Sequence, residues 1–127
     1  MSHVLRVQGL KVRHGEIEAV HGIDLDVGER EVVALVGANG AGKSTTLNAL
    51  CGLLPAAGGH ILFAAQDITG WSADRVSRHG MSLSPEGRRV FSQLTVGENL
   101  LLGGAAHASR AERSQRQAEL LELFPVL

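Results

Sequence analysis

Hydrophobic residues change their spacing three times along the chain, and each change predicts a different element. Leu5 and Val7 alternate with polar neighbours, and Leu10 and Val12 resume the alternation one position out of phase. Gly9 sits at the break, which predicts a strand over 4–14 carrying a bulge. His14-Gly15 reads as a turn. Ile17, Ala19, His21, Ile23, Leu25 and Val27 then fall on one side of an extended segment, with Glu18, Asp24 and Asp26 on the other. The two stretches predict an antiparallel β piece. After the turn at Gly28-Glu29, Val32–Val36 is an uninterrupted apolar run, the pattern of a strand buried on both faces in a parallel sheet.

From about Lys43 the spacing becomes helical, with Leu47, Leu50 and Leu54 in phase; Gly52 weakens the last turn and Pro55 stops it. His60–Phe63 reads as extended. Ser72 is placed to cap a short helix ending near Gly80, and Met81–Leu83 reads as a short strand closed by Pro85. Beyond it, Thr95/Glu98 and Ser109/Glu112 each put a hydroxyl and a carboxylate three positions apart, the capping-box spacing of a helix start. The second opens a polar stretch that reaches Leu120, Leu121, Leu123 and Phe124 before Pro125. No internal repeat and no linker divides the sequence.

Composition narrows the classes. With 127 residues, 12 Lys+Arg against 13 Asp+Glu and a net charge of -1, the chain has a globular make-up and lacks the bulk positive charge of many nucleic-acid binders. No apolar run approaches the ~18 residues of a membrane helix, and the N-terminus lacks a secretory pattern. Cys51 is the single cysteine, so no internal disulfide framework exists. Aromatic residues are 3% of the chain, which leaves few platforms for stacking single-stranded nucleic acid. The six histidines show no metal-ligand spacing.

Lys11 and Lys43 are the two lysines, against ten arginines. Lys43 stands in Gly37-Ala38-Asn39-Gly40-Ala41-Gly42-Lys43-Ser44, which fits the phosphate-loop pattern G-x-x-x-x-G-K-[ST]. The glycines allow successive backbone N–H groups to turn toward an anion, and the helix beginning at Lys43 aims its positive end at the same point. Lys43 is expected to reach the β- and γ-phosphates, Ser44 to ligate Mg²⁺, and Thr45 to donate to the α-phosphate. Composition alone yields about 0.003 matches to this pattern per chain. The loop selects a phosphate; it does not choose between adenine and guanine.

The residues around the loop resemble the ABC transporter ATP-binding subunit. The resemblance rests on 37–47, Leu53-Leu54-Pro55, Gly59-His60-Ile61, and then Ser84-Pro85-Glu86-Gly87-Arg88-Arg89-Val90-Phe91 followed by Leu94-Thr95-Val96 and Glu98-Asn99-Leu100. The Pro-Glu-Gly-Arg-Arg-Val-Phe stretch is similar to the ATP-binding subunits of high-affinity branched-chain amino acid importers. The resemblance implies an α/β P-loop NTPase fold of ABC type, here incomplete. It divides into a β meander over 1–30, a P-loop core with the start of the parallel core sheet over 31–85, and the start of the helical subdomain over 86–127. It also implies ATP and Mg²⁺ as ligands, a second ATP-binding subunit and transmembrane permease subunits as partners, and a place on the cytoplasmic face of the inner membrane. Nucleic acid is not among the implied partners.

The resemblance places Glu86 where the family has the glutamine of its Q-loop, a position near Mg²⁺; the alternative is a surface carboxylate paired with Arg88 or Arg89. Arg88, Arg89 and Phe91 match the region that meets the membrane subunit; the alternative is a solvated loop with Phe91 tucked beneath it. His14 stands where the family carries an aromatic residue that stacks on adenine; the alternative is a plain hairpin residue. The sequence shows no Leu-Ser-Gly-Gly-Gln-like signature and no apolar strand ending in Asp-Glu, so little or no turnover is expected from these residues alone. Two rivals stay open: a non-catalytic nucleotide-binding fragment, and a different P-loop enzyme such as a small-molecule kinase. Cys51 is expected to be a structural thiol, Trp71 to pack, and Ser109–Glu122 to be a solvated face.

Overall fold

A strand persists only where its N–H and C=O groups find partners, and in this chain they do so around β1. The computed structural model describes residues 2–105 and 109–127. β1 (His3–His14) pairs antiparallel with β2 (Ile17–Gly28) on one side and with β3 (Gly58–Phe63) on the other; β4 (Gln66–Asp67) pairs antiparallel with β3, giving the order β2-β1-β3-β4.

The bulge expected at Gly9 is present. Val7 pairs with Leu25 and Leu10 with Ile23, so β1 holds one extra residue there. Gly9 takes φ +59°, and its N–H donates to Asp24 Oδ1 at 2.7 Å. A second irregularity at Gly22 (φ +88°) corrects the expected face of β2. Val20 is buried while Ile17 and His21 are exposed, because the bulge flips the alternation before Ile23. At the β1–β3 crossing, a Cβ on Gly59 would lie 2.5 Å from the carbonyl oxygens of Gln8 and Gly9, so glycine is what lets the two backbones meet.

The core gathers Val7, Leu10, Val12, Val20, Ile61 and Ile68 against Ala49 and Leu50 of α1 (Lys43–Leu50) and Val76 of α2 (Ala73–Arg78). The helix expected to run to Leu54 ends four residues earlier, where Cys51 leaves helical geometry and Gly52 takes φ +74°. α2 is capped as expected, with Ser72 accepting from the Arg75 N–H. Trp71 packs at its start, with the Arg75 guanidinium 3.6 Å from the ring centroid and His79 edge-on. Cys51 is partly covered, and burial pushes its thiol pKa up, away from nucleophilic behaviour.

Two expected strands are absent. Residues 32–36 form no ladder; Val32 is 94% and Val36 91% exposed. Their apolar pattern suits a buried parallel strand, but no described segment lies beside them to supply hydrogen bonds. The same holds for Met81–Leu83. The start of a parallel sheet is therefore not formed among the described residues.

The chain divides into two compact units, Met1–Leu83 and Ser84–Leu127. The second holds α3 (Val96–Gly104) and α4 (Arg110–Leu123). Both expected capping boxes are complete. Thr95 accepts from the Glu98 N–H while Glu98 accepts from the Thr95 N–H, and Ser109 and Glu112 do the same. Neither helix contains a buried residue.

Candidate functional site: the phosphate loop

The loop of 37–42 leads straight into α1, and its conformation is one that only its glycines permit. Gly40 (φ +84°) and Gly42 (φ +95°) are left-handed. A Cβ on Gly42 would lie 2.8 Å from the Ala19 carbonyl oxygen, and one on Gly37 would lie 3.0 Å from the Ala41 Cβ. β2 thus packs directly against the start of α1. The Ala41 N–H closes a turn onto the Ala38 carbonyl at 3.1 Å, while Asn39 is exposed at the tip.

Gly42 caps α1 without a side-chain bond, and no acidic residue occupies the first turn. The N–H groups of Lys43, Ser44 and Thr45 have no intrahelical acceptor, so three donors and the positive helix end converge on one opening. The Lys43 ammonium folds back over the loop, donating to the carbonyls of Gly37 at 2.5 Å and Ala38 at 2.8 Å. A phosphate would offer the same ammonium a charged acceptor, a stronger partner than two neutral carbonyls. Donors, cradle and cation together fit the phosphates of a nucleotide.

The Ser44 side chain is exposed and has the hydroxyl needed to hold Mg²⁺; phosphate oxygens and waters would supply the other ligands. Among the described residues no cluster of three His, Cys, Asp or Glu could hold a metal by itself. Thr46 was not among the expected site residues, yet it anchors the first turn. It is buried, and its hydroxyl donates to the Gly42 carbonyl at 2.8 Å. Only its place four residues after Gly42 hinted at that role. The fold also brings His14 to the loop: its Nε2 shares a hydrogen bond with Thr45 Oγ1 at 3.3 Å.

Glu86, Arg88, Arg89 and Phe91 belong to the second unit. Glu86 is exposed, and its carbonyl accepts from Arg89 Nε at 3.3 Å. None of the ion pairs among the described residues joins its carboxylate to Arg88 or Arg89. Arg88 is left-handed (φ +48°) after Gly87. Phe91 is 61% exposed rather than tucked under the loop. Its peptide is gripped by Asn99, whose Oδ1 accepts from the Phe91 N–H at 2.9 Å and whose Nδ2 donates to the Phe91 carbonyl at 3.1 Å.

The family model for the ABC transporter matches residues 20–126. The chain belongs to the ABC transporter ATP-binding family. It is 43% identical over 114 residues to the high-affinity branched-chain amino acid transport ATP-binding protein BraG of Pseudomonas aeruginosa, covering 90% of this chain and 48% of BraG. It is 38% identical over 99 residues to the corresponding protein LivG of Escherichia coli, covering 78% of this chain and 39% of LivG. It is also 37% identical over 123 residues to the Fe(3+) ions import ATP-binding protein FbpC of Streptomyces avermitilis, covering 94% and 34%. Among solved structures, an ATP-binding subunit of an ABC transporter superposes with a TM-score of 0.83 at 30% identity, covering 96% of this chain and 50% of that one. The chain therefore spans about half the length of the curated relatives it matches. ATP binding and hydrolysis are the general chemistry of this ATPase family. No described helix is long and apolar enough to cross a membrane.

Proposed function

We propose that this chain is a nucleotide-binding part of a subunit that binds Mg-ATP and powers import, with branched-chain amino acids as the substrate class. The observation that carries nucleotide binding is the phosphate loop itself: three unpartnered helix-start N–H groups, a left-handed glycine cradle and the Lys43 ammonium at one opening. The substrate class is supported by the likeness to BraG and LivG and by the Pro85–Phe91 stretch; the iron-import relative is the specific reason to test it.

In this reading Gly37–Thr45 hold the phosphates, Lys43 reaches the β- and γ-phosphates, and Thr45 donates to the α-phosphate. Ser44 would hold Mg²⁺, and Glu86 of the second unit stands in the Q-loop position. Mg²⁺, when bound, would supply positive charge to offset that of the phosphates. The meander is 1–30, the P-loop core 31–85 and the helical subdomain 86–127. A second ATP-binding subunit closes on the nucleotide, and Arg88, Arg89 and the exposed Phe91 meet the permease subunits at the cytoplasmic face of the membrane. The chain by itself binds nucleotide and turns it over slowly or not at all, because its sequence contains neither the signature nor the Asp-Glu pair that would polarise water.

Titration of the chain with Mg-ATP, with and without Lys43→Ala, tests the reading. Losing a charge-assisted hydrogen bond weakens affinity roughly 10- to 100-fold. Equal affinity of the two proteins would exclude the loop as the binding site. Rapid hydrolysis by the chain alone, abolished by Lys43→Ala, would overturn the low-turnover part only.

A further inference from the structure

We propose that His14 is a positioning residue for the phosphate site, acting through the Thr45 hydroxyl. The proposal rests on the nucleotide-binding reading above and assigns His14 a role other than stacking on a base.

Two observations meet at the first turn of α1. The β2 backbone is wedged against Gly42, with the Ala19 oxygen where a Cβ would lie at 2.8 Å and Val20 Cγ2 at 3.3 Å from it. At the end of β1, His14 Nε2 bonds Thr45 Oγ1 at 3.3 Å. The N-terminal hairpin therefore touches this turn twice, at its cap residue and at Thr45. Thr46, between them and the core, is already tied to the Gly42 carbonyl. Of the other hydroxyls in this turn, that of Thr45 is shared with His14 and that of Ser44 is left for a ligand.

Thr45 has one hydroxyl proton and two lone pairs. If that proton is donated to an imidazole lone pair, it is lost to an anion. If His14 carries its hydrogen on Nε2, the ring donates to Oγ1 and the threonine proton is free to point at phosphate. His14 in this form both restrains the Thr45 rotamer and sets the direction of its hydrogen. The site thereby gains a donor whose orientation is settled before the ligand arrives, which lowers the ordering cost of binding.

The consequence is independent of the base, and that separates it from stacking. Binding of ATP and of inorganic tripolyphosphate to the full chain is measured by calorimetry. His14→Ala is expected to weaken both by the same factor, about three- to tenfold for one neutral hydrogen bond. Thr45→Ala, which removes the donor itself, is expected to lose at least as much, and the double variant to lose no more than Thr45→Ala alone. His14→Gln, whose amide can donate to Oγ1, is expected to restore much of the loss, whereas His14→Phe is not. His14 is exposed, so thermal melts of the His14 single variants should coincide with the parent. A loss confined to ATP and recovered by His14→Phe would overturn the proposal in favour of stacking, and additive His14 and Thr45 losses would overturn it in favour of separate roles. Should the parent bind neither ligand and Lys43→Ala change nothing, the phosphate-site reading would itself have failed, and the proposal with it.

Discussion

The two units of this chain reach secondary structure by opposite routes. Met1–Leu83 is organised around buried Val7, Leu10, Val12, Val20 and Ile61, drawn from strands far apart in sequence, with Ile68 just after β4. Ser84–Leu127 has two helices without one buried residue, each started by a complete capping box. Its apolar side chains remain open: Leu101 and Leu102 are 53% and 51% exposed. Cooperative packing specifies the first unit; local hydrogen bonds at helix termini specify the second. The functional consequence is that the phosphate loop stands on the unit with a core, where a rigid support can hold its donors in place.

The strongest way to break this contrast is to open the core. Leu10 is fully buried, and Leu10→Ala removes its packing and leaves a cavity at a cost of about 2–5 kcal/mol. Residue-resolved amide exchange should show protection collapsing across β1, β2 and β3, while 96–104 and 110–123 keep their parental rates. Collapse of both sets together would mean that the helices depend on the sheet and that the contrast is wrong.

How far each region can be read from sequence follows the same division. Capping boxes are local, so Thr95/Glu98, Ser109/Glu112 and Ser72 were legible from spacing alone, as was the phosphate loop. The Gly9 bulge was legible because the alternation visibly shifts. Val32–Val36 misled, because apolar composition reports a preference for burial and not the presence of a partner strand. β4 was invisible for a different reason. Its turn is Ala64-Ala65, both left-handed at φ +47° and +62°, in a two-residue hairpin that normally advertises itself with Asn or Gly. The His14–Thr45 bond joins positions 31 apart, and no spacing rule reaches across that distance.

A smaller effect sharpens the contrast from the other side. Thr95→Ala and Ser109→Ala each remove a cap, with an expected cost of about 0.5–2 kcal/mol to the helix that follows. Exchange should speed up in the first turns of α3 and α4 and leave the sheet untouched. The same substitution in the first unit, Ser72→Ala, should be felt less by α2, because Val76 is buried in the core and holds that helix in place. Equal fraying of all three helices would show that burial adds nothing to α2.

The smallest effect is electrostatic and distinguishes a charged cap from a merely hydrogen-bonded one. Glu98 and Glu112 have lowered pKa values: each accepts from the backbone N–H and hydroxyl of its capping partner, Thr95 and Ser109, and Glu112 also feels Arg116. A carboxyl with a lowered folded-state pKa contributes stability above its unfolded value, about 4.3, and that contribution is lost as pH falls through the folded value. The helix starts of α3 and α4 should therefore fray on acidification below the usual carboxylate range and stay constant from there to neutrality. Glu98→Gln with Glu112→Gln keeps a side chain able to complete the box and removes the titration. Amide chemical shifts at 95–99 and 109–113 should then become flat with pH in the variant, while Asp67, lowered by its hydrogen bonds to Thr69 in the first unit, still titrates as in the parent. Superimposable profiles of parent and double variant at those amides would show that the charge of the capping carboxylates contributes nothing, leaving hydrogen-bond geometry alone to start these two helices.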